Sequence, residues 1–572
     1  MPDNAVNTFT QSNKPIWYFL LFWTALNLLQ SYTLEVHGDE AYYWMYSRFL
    51  DWGYFDHPPM VAVFIRIGDS IMHNELGLRL LTVLSNSCSL YLIWLMLKKY
   101  TVDAKWFIII ASSLFILHMY GFTTTADSPL LFFTVLFYYV YQRYVEEDKW
   151  LQAVVLAIIV ACLLYSKYHG VLLVGFTILS NIKLLTRKSF WLIAIGAAVL
   201  YIPHILWQVN HDYPSLKYHL FDRSAEEYHA EFTYLYPVGQ LLMAGPLVGW
   251  FLFYSAFRVK IKDAFIRALV VNCIGTFLFF MATSAKGEVQ MHWTLIAFVP
   301  LLMLVLISFK QSVYPPKWFY WLAVSNVALI LLIRIALIFQ FPIVTQYEVL
   351  KGYFGFRGWT KHVKQVVGDN YVMIRDGFQD PSKYNYYTNS AKAMSYDSRY
   401  YRKTQYESWP IEDSIQHKRV YYMQDGKDPF TTDSLLDKYN RKWYTVWIND
   451  VRTYQRLTID VPQKKFDTRP GQQLSFNLVL HNPYNHPITF TDNGYLHKAF
   501  LEACFLQKGN DKLIASAGND FKQISLQAGG QCKYTFRAKA PDVKGKYDLL
   551  FSIRTDPFPG SRNSPIISVV VE

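Results

Sequence analysis

The chain contains 572 residues, of which 52% are hydrophobic and 18% are aromatic, and its formal net charge at pH 7 is +12. This positive charge does not indicate nucleic-acid binding, because many of the basic residues lie in short loops between apolar segments, where membrane topology explains them better. The mean hydropathy of +0.10 averages an apolar half, which ends near Phe341, and a polar, tyrosine-rich half. This division predicts a membrane domain followed by water-facing domains and excludes nucleic acid as a partner.

The N-terminal half contains eleven apolar segments that are candidate membrane spans. They are Pro15–Leu34, Leu76–Leu97, Trp106–Tyr120, Pro129–Val145, Trp150–Tyr165, Gly170–Leu185, Phe190–Leu206, Pro237–Phe257, Ala264–Thr283, Thr294–Phe309 and Trp318–Phe341. The residues before the first segment lack the basic region and the cleavage site of a signal peptide, so we expect this segment to be retained. An odd number of spans places the two termini on opposite sides of the membrane.

The charge of the loops predicts the orientation of these spans. One set of alternate loops is consistently basic and contains Lys98, Lys99, Lys105, Arg143, Lys149, Lys183, Arg187, Lys188, Arg258, Lys260, Lys262, Lys310 and Lys317. Positively charged loops remain on the cytoplasmic side of a membrane. The N-terminus is therefore expected in the cytoplasm and the C-terminus outside, and every chemically suggestive loop falls on the external face.

The first external loop, from Glu35 to Pro59, combines acidic, histidine and aromatic residues in the sequence EVHGDEAYYWMYSRFLDWGYFDHPP. Asp39 and Glu40 are adjacent, and Asp56 and His57 follow a predicted short amphipathic helix. A carboxylate beside a membrane boundary is costly unless it faces water or a site, so these acids are functional candidates. The alternative is a solvated loop in which Asp39 only caps the helix that begins near Glu40.

Two external turns place an ionisable residue between apolar spans. Asp127 precedes Pro129 at the start of a span, where an acid can also act simply as a helix cap. Lys167 lies in the turn Ser166–Gly170 and is almost enclosed by apolar residues. Such a lysine needs an anionic partner, which a phosphate would provide, unless its side chain extends to the lipid headgroups.

Two more external loops contain polar residues. The loop from Trp207 to Tyr236 contains His211, Asp212 and Arg223. Adjacent His and Asp residues are weak evidence for a metal site, and no compact set of oxygen ligands is visible, so no metal is required, although a divalent cation is an alternative. The second loop contains Lys286, Glu288, His292 and Trp293. It is equally consistent with an ordinary polar connection.

Together these motifs resemble the polyprenyl-phosphate-sugar glycosyltransferases of the GT-C class, in particular the bacterial relatives of dolichyl-phosphate-mannose protein mannosyltransferases and of the lipid A aminoarabinose transferase. The pattern GDEAYYW…GYFDHPPM is similar to the first external loop of that class, TADSP to its second acidic motif, and SKYHG to its Ser-Lys-Tyr element. The segments WQVNHDY, RKTQYESW and the loop ending at Trp293 are similar to further elements of the class. The resemblance covers most of the apolar half in the order of the class, which implies the GT-C fold and a transferase activity.

The resemblance also implies roles for these motifs. Asp39 occupies the position of the expected catalytic base, with Glu40 or Asp127 orienting the acceptor or the sugar. His57 stands where some relatives carry lysine, so its charge depends on pH. The residues expected to bind the substrates are Tyr54, Asp56, His57, Lys167, Tyr168, His211, Asp212, Arg223, Lys286, Glu288 and His292. Lys167 and His57, together with the arginine of this set, are expected to stabilise the departing phosphate in a single inverting displacement.

The polar half is predicted to form two domains after the membrane domain of residues 1–341. Residues 342–442 combine helical stretches with the short strands Tyr371–Arg375 and Arg419–Met423, which indicates a small α/β domain. Residues 443–572 contain alternating strands separated by Gly, Pro and Asn turns, which predicts an antiparallel β-sandwich. These strands include Leu474–Leu480, Tyr534–Ala538, Leu549–Arg554 and Ile566–Val571.

Five cysteines fall into two groups. Cys88, Cys162 and Cys273 lie in apolar spans, where small core residues are expected. Cys504 and Cys532 lie in two predicted strands of the sandwich. They pair only if this domain faces an oxidising compartment, and the sequence leaves both outcomes open.

The function implied by the resemblance is the transfer of a hexosyl or pentosyl group from an undecaprenyl-phosphate-type donor to lipid A, another envelope glycan or a protein. The reaction is expected on the periplasmic face of a bacterial inner membrane, and the sequence identifies neither the sugar nor the acceptor. One alternative is a lipid-linked sugar flippase, but related halves and mid-membrane charges are not visible. The other is a membrane-anchored glycan-binding protein, for which eleven spans exceed what an anchor needs.

Overall fold

The computed structural model describes residues 13–219, 228–347, 350, 352–437 and 441–572. The chain divides into two compact units. The first comprises Met1–Val36 and Tyr46–Gly352, and the second comprises His37–Met45 and Tyr353–Glu572. The second unit therefore contains a short segment of the N-terminal half, in which Asp39 lies, in addition to the polar half of the chain.

The first unit is helical. The helices of the N-terminal half are α1 (Lys14–Thr33), α2 (Gly38–Arg48), α3 (Met60–Ile71), α4 (Glu75–Leu97), α5 (Ala104–Ser113), α6 (Phe115–Met119), α7 (Asp127–Glu147), α8 (Trp150–Ser166), α9 (Gly170–Ser180), α10 (Lys188–Asn210), α11 (Pro214–Lys217), α12 (Ala230–Ala244), α13 (Gly249–Phe257), α14 (Ala264–Thr283), α15 (Leu295–Gln311), α16 (Lys317–Ile338) and α17 (Pro342–Thr345). Within the described ranges, 3-10 turns lie between these helices at Lys98–Tyr100, Ile182–Thr186 and Met291–Thr294. Helix α2 begins in the second unit and ends in the first.

Each of the eleven predicted spans falls on these helices and turns, but three are interrupted. Gly170–Leu185 is divided at Asn181 into α9 and the 3-10 turn Ile182–Thr186. Trp106–Tyr120 is divided into α5 and α6 at Leu114, where the backbone is extended. Pro237–Phe257 is divided into α12 and α13, which are bent by 93° near Gly245. Among the described residues, five helices are long and apolar enough to cross a membrane, or six if the bent pair is one span. A helical N-terminal region with several apolar spans is confirmed, and the count of eleven stays a prediction.

The burial of the helices differs as expected for a bundle surrounded by lipid. In α15 every residue from Leu295 to Phe309 is buried, so this helix lies at the centre. Its most apolar window is 89% buried, whereas the corresponding windows of α10 and α16 are only 22% buried. The apolar side chains exposed on α10 and α16 include Trp191, Ile195, Val199, Trp321 and Leu332. Contact with lipid would cover apolar surface of this extent.

Arg79 on α4 fixes the end of α1. Its side chain is fully buried and donates hydrogen bonds to the carbonyl oxygens of Ser31 (2.9 Å), Leu34 (2.8 Å) and Glu35 (2.9 Å). The last carbonyl groups of a helix lack partners within the helix, and here the guanidinium supplies them. The chain therefore leaves α1 in a defined direction just before the segment that contains Asp39.

The first part of the second unit is a five-stranded sheet with helices. Its strands, in the order β2-β1-β3-β5-β4, are β1 (Tyr371–Arg375), β2 (Ala393–Tyr396), β3 (Val420–Gln424), β4 (Asp433–Leu436) and β5 (Lys442–Ile448). Strand β1 is parallel to β2 and β3, and β5 is antiparallel to β3 and β4. The helices of this part are α18 (Phe356–Val367), α19 (Gln379–Thr388) and α20 (Ile411–Ile415). The sheet includes β5 and therefore continues past the domain boundary predicted at residue 442.

The rest of the second unit is rich in strands. They are β6 (Thr458–Asp460), β7 (Lys465–Thr468), β8 (Gln473–His481), β9 (Ile488–Thr489), β10 (Ala499–Gln507), β11 (Asn510–Ser516), β12 (Ser525–Leu526), β13 (Gln531–Lys539), β14 (Gly545–Thr555) and β15 (Ile567–Val571). Two sheets, β11-β10-β14-β15-β7 and β13-β8-β6, share one apolar core. The rings of Phe476 on β8 and Phe536 on β13 lie 5.2 and 5.3 Å from that of Phe551 on β14. The predicted strand-rich C-terminal domain is confirmed.

A buried ion pair joins these two parts of the second unit. Arg399, which follows β2, donates to Glu502 on β10 over 2.5 Å, and each side chain is 5% exposed. Arg554 donates to the other carboxylate oxygen of Glu502 over 2.7 Å. Cys504, on β10, contacts the Arg399 guanidinium. Cys532 lies on β13, in the other sheet of the sandwich, and neither cysteine forms a disulfide bond.

Candidate active site

The polar centre of the first unit is a buried ion pair between Asp127 and Lys167. Asp127 opens α7 and Lys167 follows the last residue of α8, so the packing of these two helices brings both residues to one end. The Lys167 ammonium donates to both carboxylate oxygens of Asp127, at 2.9 and 2.8 Å. The two side chains are only 8% and 4% exposed, so the lysine lies with an anion rather than extending into a solvated surface.

The Asp127 carboxylate precedes the predicted span and lies near one lysine and two histidines. His292, in the 3-10 turn before α15, places its Nε2 3.7 Å from Asp127 Oδ2. Burial raises the pKa of the Asp127 carboxyl, but Lys167, His292 and His57 outweigh this effect and hold the pKa below its usual value. The carboxylate therefore stays ionised, and its two hydrogen bonds orient the Lys167 side chain.

Asp56 and His57 lie beside this ion pair. Asp56 is buried, accepts a hydrogen bond from the Tyr46 hydroxyl, and offers its backbone carbonyl oxygen to His219 Nε2 at 3.0 Å. Burial lowers the pKa of His57 to about 4; Asp56 opposes this shift, and Lys167 adds to it. At neutral pH the His57 imidazole is therefore uncharged.

Tyr54 shapes the loop instead of presenting a free hydroxyl. Its hydroxyl donates to the Tyr46 carbonyl oxygen (2.9 Å) and accepts from the backbone N–H of Asp51 (3.1 Å), and its ring stacks on that of Tyr46 at 3.9 Å. The Asp51 carboxylate in turn accepts from the indole N–H of Trp207 at 2.7 Å. These contacts hold the loop that contains Asp56 against the end of α10.

Tyr168 belongs to a polar network that reaches the same loop. Its hydroxyl lies 3.1 Å from His204 Nε2 and accepts from the Gln208 amide at 3.0 Å. Gln208 also donates to the Ser215 hydroxyl at 2.9 Å, and Ser215 donates to the Tyr54 carbonyl oxygen at 2.7 Å. The places of Gln208 and Ser215 in this network were not predicted from the sequence, because neutral polar residues such as these give no local signal of long-range hydrogen bonds.

The other described residues that were predicted to bind substrate lie on the surface. His211 stacks on Trp207 with ring centroids 4.3 Å apart, and the exposed Asp212 pairs with Lys217. Lys286 and Glu288 are exposed. Arg223 lies outside the described residues. The structure thus brings Asp56, His57, Lys167 and His292 to Asp127. The substrate-binding roles of all the predicted residues stay predictions.

Asp39 and Glu40 lie in the second unit, in the first turn of α2. Glu40 is fully buried and accepts a hydrogen bond from the backbone N–H of His37 at 3.0 Å, so Glu40 caps the helix. The Asp39 side chain is 39% exposed, and its Oδ2 lies 3.7 Å from His37 Nδ1. Its Oδ1 accepts from the Gln379 side-chain amide at 3.3 Å. Asp39 is therefore open to solvent and fixed on one side only.

The aromatic residues after Asp39 attach α2 to the rest of the second unit. The Tyr42 hydroxyl accepts from the backbone N–H of Gln405 at 2.7 Å, and its ring lies 4.1 Å from that of Phe378. Tyr42 also contacts Tyr406 and Trp409. The segment RKTQYESW, which resembles an element of the GT-C class, contains three of these four contact residues. It is therefore the main packing partner of Tyr42.

A metal centre gains no support from this geometry. Among the residues that the structure describes, no group of three or more His, Cys, Asp or Glu side chains is arranged to hold a metal ion. Asp127 is engaged with Lys167, so its oxygens are already satisfied by a cation. The first unit contains a buried ammonium paired with a carboxylate. The second unit, taken by itself, contains the partly exposed carboxylate of Asp39.

The chain is similar to known proteins both in sequence and in structure. Residues 56–207 match the model of the dolichyl-phosphate-mannose-protein mannosyltransferase family. ArnT from Cupriavidus metallidurans in the apo state has a similar structure, with a TM-score of 0.57 and 12% identity over 76% of this chain and 98% of ArnT. The resemblance to the GT-C class is confirmed.

The ArnT-like fold is therefore the fold of this chain, a multi-pass membrane fold followed by a strand-rich domain. ArnT from the same organism bound to undecaprenyl phosphate is also similar, with a TM-score of 0.56 and 13% identity over 76% of this chain and 98% of that protein. No curated protein sequence matches the chain. The family match contains Asp56, His57, Asp127 and Lys167, the residues that the structure brings together.

The first prediction concerns the stability of the ion pair. Lys167→Met leaves Asp127 buried without its cation and is expected to destabilise the protein by about 3–5 kcal/mol, because an uncompensated buried charge is costly. The double variant Asp127→Asn/Lys167→Met removes both charges and is expected to regain much of this loss. Thermal unfolding midpoints of the detergent-solubilised proteins measure both effects.

Lys217→Met is the matched control, because its ion pair with Asp212 is exposed on both sides (52% and 83%) and should contribute at most about 1 kcal/mol. If the single and double variants at the buried pair lose the same stability, the two side chains are not energetically coupled.

Proposed function

We propose that the chain is an integral-membrane glycosyltransferase that takes its sugar from a polyprenyl-phosphate donor of the undecaprenyl type. The observation that carries this proposal is the buried Lys167, held by Asp127 beside His57 in an ArnT-like fold. A buried ammonium group is costly and is retained where an anion has to be bound. A phosphate that leaves with the polyprenyl chain is such an anion, and a similar structure contains undecaprenyl phosphate.

The reaction is a single displacement at the anomeric carbon of the donor sugar. Asp39 takes the proton from the acceptor hydroxyl or amine, whose heteroatom forms a bond to that carbon. The bond between the carbon and the phosphate oxygen breaks, and its electron pair leaves with undecaprenyl phosphate. Because the acceptor attacks from the side opposite to the leaving group, the anomeric configuration is inverted.

The leaving phosphate is stabilised by the groups around Asp127. Lys167 is already charged and immobilised before the donor binds, so little reorganisation is needed when negative charge develops. The phosphate competes with Asp127 for the ammonium, and His57 adds a hydrogen-bond donor. Asp39 lies in the second unit and Lys167 in the first, and each role is assigned from the surroundings of that residue alone.

The acceptor is proposed to be an envelope component, namely lipid A, another glycan or a protein. A flippase for lipid-linked sugars is the competing function, and it would place its charged groups near the middle of the membrane between related halves. In the first unit, Asp127 instead lies at the start of its helix and Lys167 directly after the end of its helix. This placement favours transfer over transport.

The base is tested with Asp39→Asn, which keeps the size of the side chain but cannot accept a proton. Membranes of a strain that lacks the gene contain both substrates, so added purified protein should release undecaprenyl phosphate, which mass spectrometry quantifies. The variant is expected to release it two to four orders of magnitude more slowly, the usual contribution of a positioned general base. Envelope profiling of the same strain identifies the missing product.

Asp548→Asn serves as the control, since it changes an exposed carboxylate on β14 of the same unit and should leave the rate unchanged. Turnover of Asp39→Asn close to that of the unaltered protein would remove Asp39 from the mechanism.

Binding of the donor phosphate is tested with undecaprenyl phosphate itself. Lys167→Ala is expected to weaken its binding roughly ten- to a hundredfold, since a hydrogen bond to a charged group is lost, and Lys167→Arg should retain part of the affinity. Native mass spectrometry of the detergent-solubilised protein gives the affinities. Lys183→Ala, at an exposed loop lysine, is the control. Unchanged affinity in Lys167→Ala would contradict the phosphate role.

The proposed topology places the N-terminus in the cytoplasm and the second unit in the periplasm of a bacterial inner membrane. Its basis is the set of basic loops that the sequence contains. A periplasm-active phosphatase fused after Glu572 is expected to be active, and a fluorescent protein that folds only in the cytoplasm is expected to be dark at the same position. The reverse pattern would overturn both the orientation and the periplasmic active site.

A further inference from the structure

We propose that Gln379, in the polar half of the chain, is a positioning residue that orients the Asp39 carboxylate for proton transfer. This inference rests on the proposed role of Asp39 as the base. It assigns to the second unit a direct part in catalysis, because the residue that fixes the base comes from the first turn of α19 rather than from a membrane helix.

The first observation is the hydrogen bond itself. The Gln379 amide N–H donates to Asp39 Oδ1 at 3.3 Å, while Asp39 Oδ2 faces His37 Nδ1 at 3.7 Å. A carboxamide donates a hydrogen bond without carrying charge, so Gln379 can fix the carboxylate plane without neutralising the base as a lysine or arginine would. A lone pair on the second oxygen is then presented in a defined direction toward the acceptor proton.

The second observation is the absence of a side chain at Gly38. A Cβ atom there would lie 2.6 Å from Gln379 Cβ, 2.7 Å from its Cγ and 2.8 Å from its Cδ, distances too short for carbon atoms in contact. Only glycine allows the whole Gln379 side chain to lie against the backbone immediately before Asp39. The packing of Gln379 against Gly38 is thus a second contact between this glutamine and the GDE segment, separate from the hydrogen bond.

The third observation is the spacing of the contacts along α2. Phe378 and Gln379 are adjacent, and they contact Tyr42 and Asp39, which are three residues apart and so share one face of the helix. Tyr42 is 1% exposed and its hydroxyl is held by the Gln405 backbone N–H. The Tyr42 contacts fix the position of α2, and Gln379 then fixes the orientation of the Asp39 side chain.

The decisive variant is Gln379→Met in the full-length protein, because methionine keeps the length and the packing against Gly38 but lacks the amide donor. We expect kcat for undecaprenyl phosphate release to fall roughly ten- to a hundredfold, as for a misplaced catalytic group, with KM unchanged within about twofold. Gln379→Glu should lower the rate as well and move the acid limb of the pH–rate profile to higher pH, because a second carboxylate disfavours ionised Asp39.

Gln531→Met is the matched control, since it replaces an exposed glutamine on β13 of the same unit and should leave kcat and the pH profile unchanged. The thermal midpoint of Gln379→Met should equal that of the unaltered protein, which separates positioning from stability. A variant that loses activity only together with its thermal midpoint would overturn the inference.

A double-variant cycle distinguishes this inference from the function on which it rests. If Gln379 acts through Asp39, adding Gln379→Met to Asp39→Asn should cause no further loss. Additive losses would show that Gln379 acts elsewhere. If Asp39→Asn is inactive but Gln379→Met has the kcat of the unaltered protein, only the positioning role is wrong. If Asp39→Asn itself turns over normally, the assignment of the base fails.

Discussion

The first unit depends on the pairing of Asp127 with Lys167. Removing either charge from water alone costs several kcal/mol, so neither side chain can be buried before the other is in place. The pairing requires the start of α7 and the end of α8 to meet, and the short connection between Glu147 and Trp150 enforces this by making the two helices an antiparallel pair. The ion pair and the packing of α7 against α8 therefore depend on each other. The side chains of Asp56, His57 and His292 lie near this ion pair.

Most of the fold was predictable because it depends on local patterns. Apolar segments of sufficient length became helices, and alternating segments such as Leu474–Leu480 became strands with nearly the expected ends. The interruptions were not predictable, because Leu114 is an ordinary apolar residue and the bend after α12 needs Gly245 at a φ of 138°. The extension of the first sheet past residue 442 was not predictable either, because the pairing of β5 with β3 is a long-range contact.

The site was predictable to the extent that single motifs carry it. Asp127 and Lys167 stood out because an ionisable residue between apolar segments needs a partner. Their mutual pairing was not evident, because the anionic partner considered for Lys167 was a phosphate and not a carboxylate of this chain. Gln379 could not be identified from sequence, because its hydrogen bond to Asp39 joins residues 340 positions apart. The place of Asp39 in the second unit was not predictable for the same reason, because the residues that contact the start of α2 lie in the distal half of the chain.

The resemblance to the GT-C class implies a lysine in some relatives at the position of His57, and the surroundings of His57 give this side chain a different charge. With a pKa of about 4, His57 adds no second positive charge next to Lys167. A permanent lysine at this position would repel Lys167 until an anion arrived. If the donor phosphate binds as proposed, its negative charge favours the protonated imidazole, which can gain a proton as the donor binds and lose it as undecaprenyl phosphate departs. The charge of the site then follows the charge of its ligand, which favours product release over a site with two fixed cations.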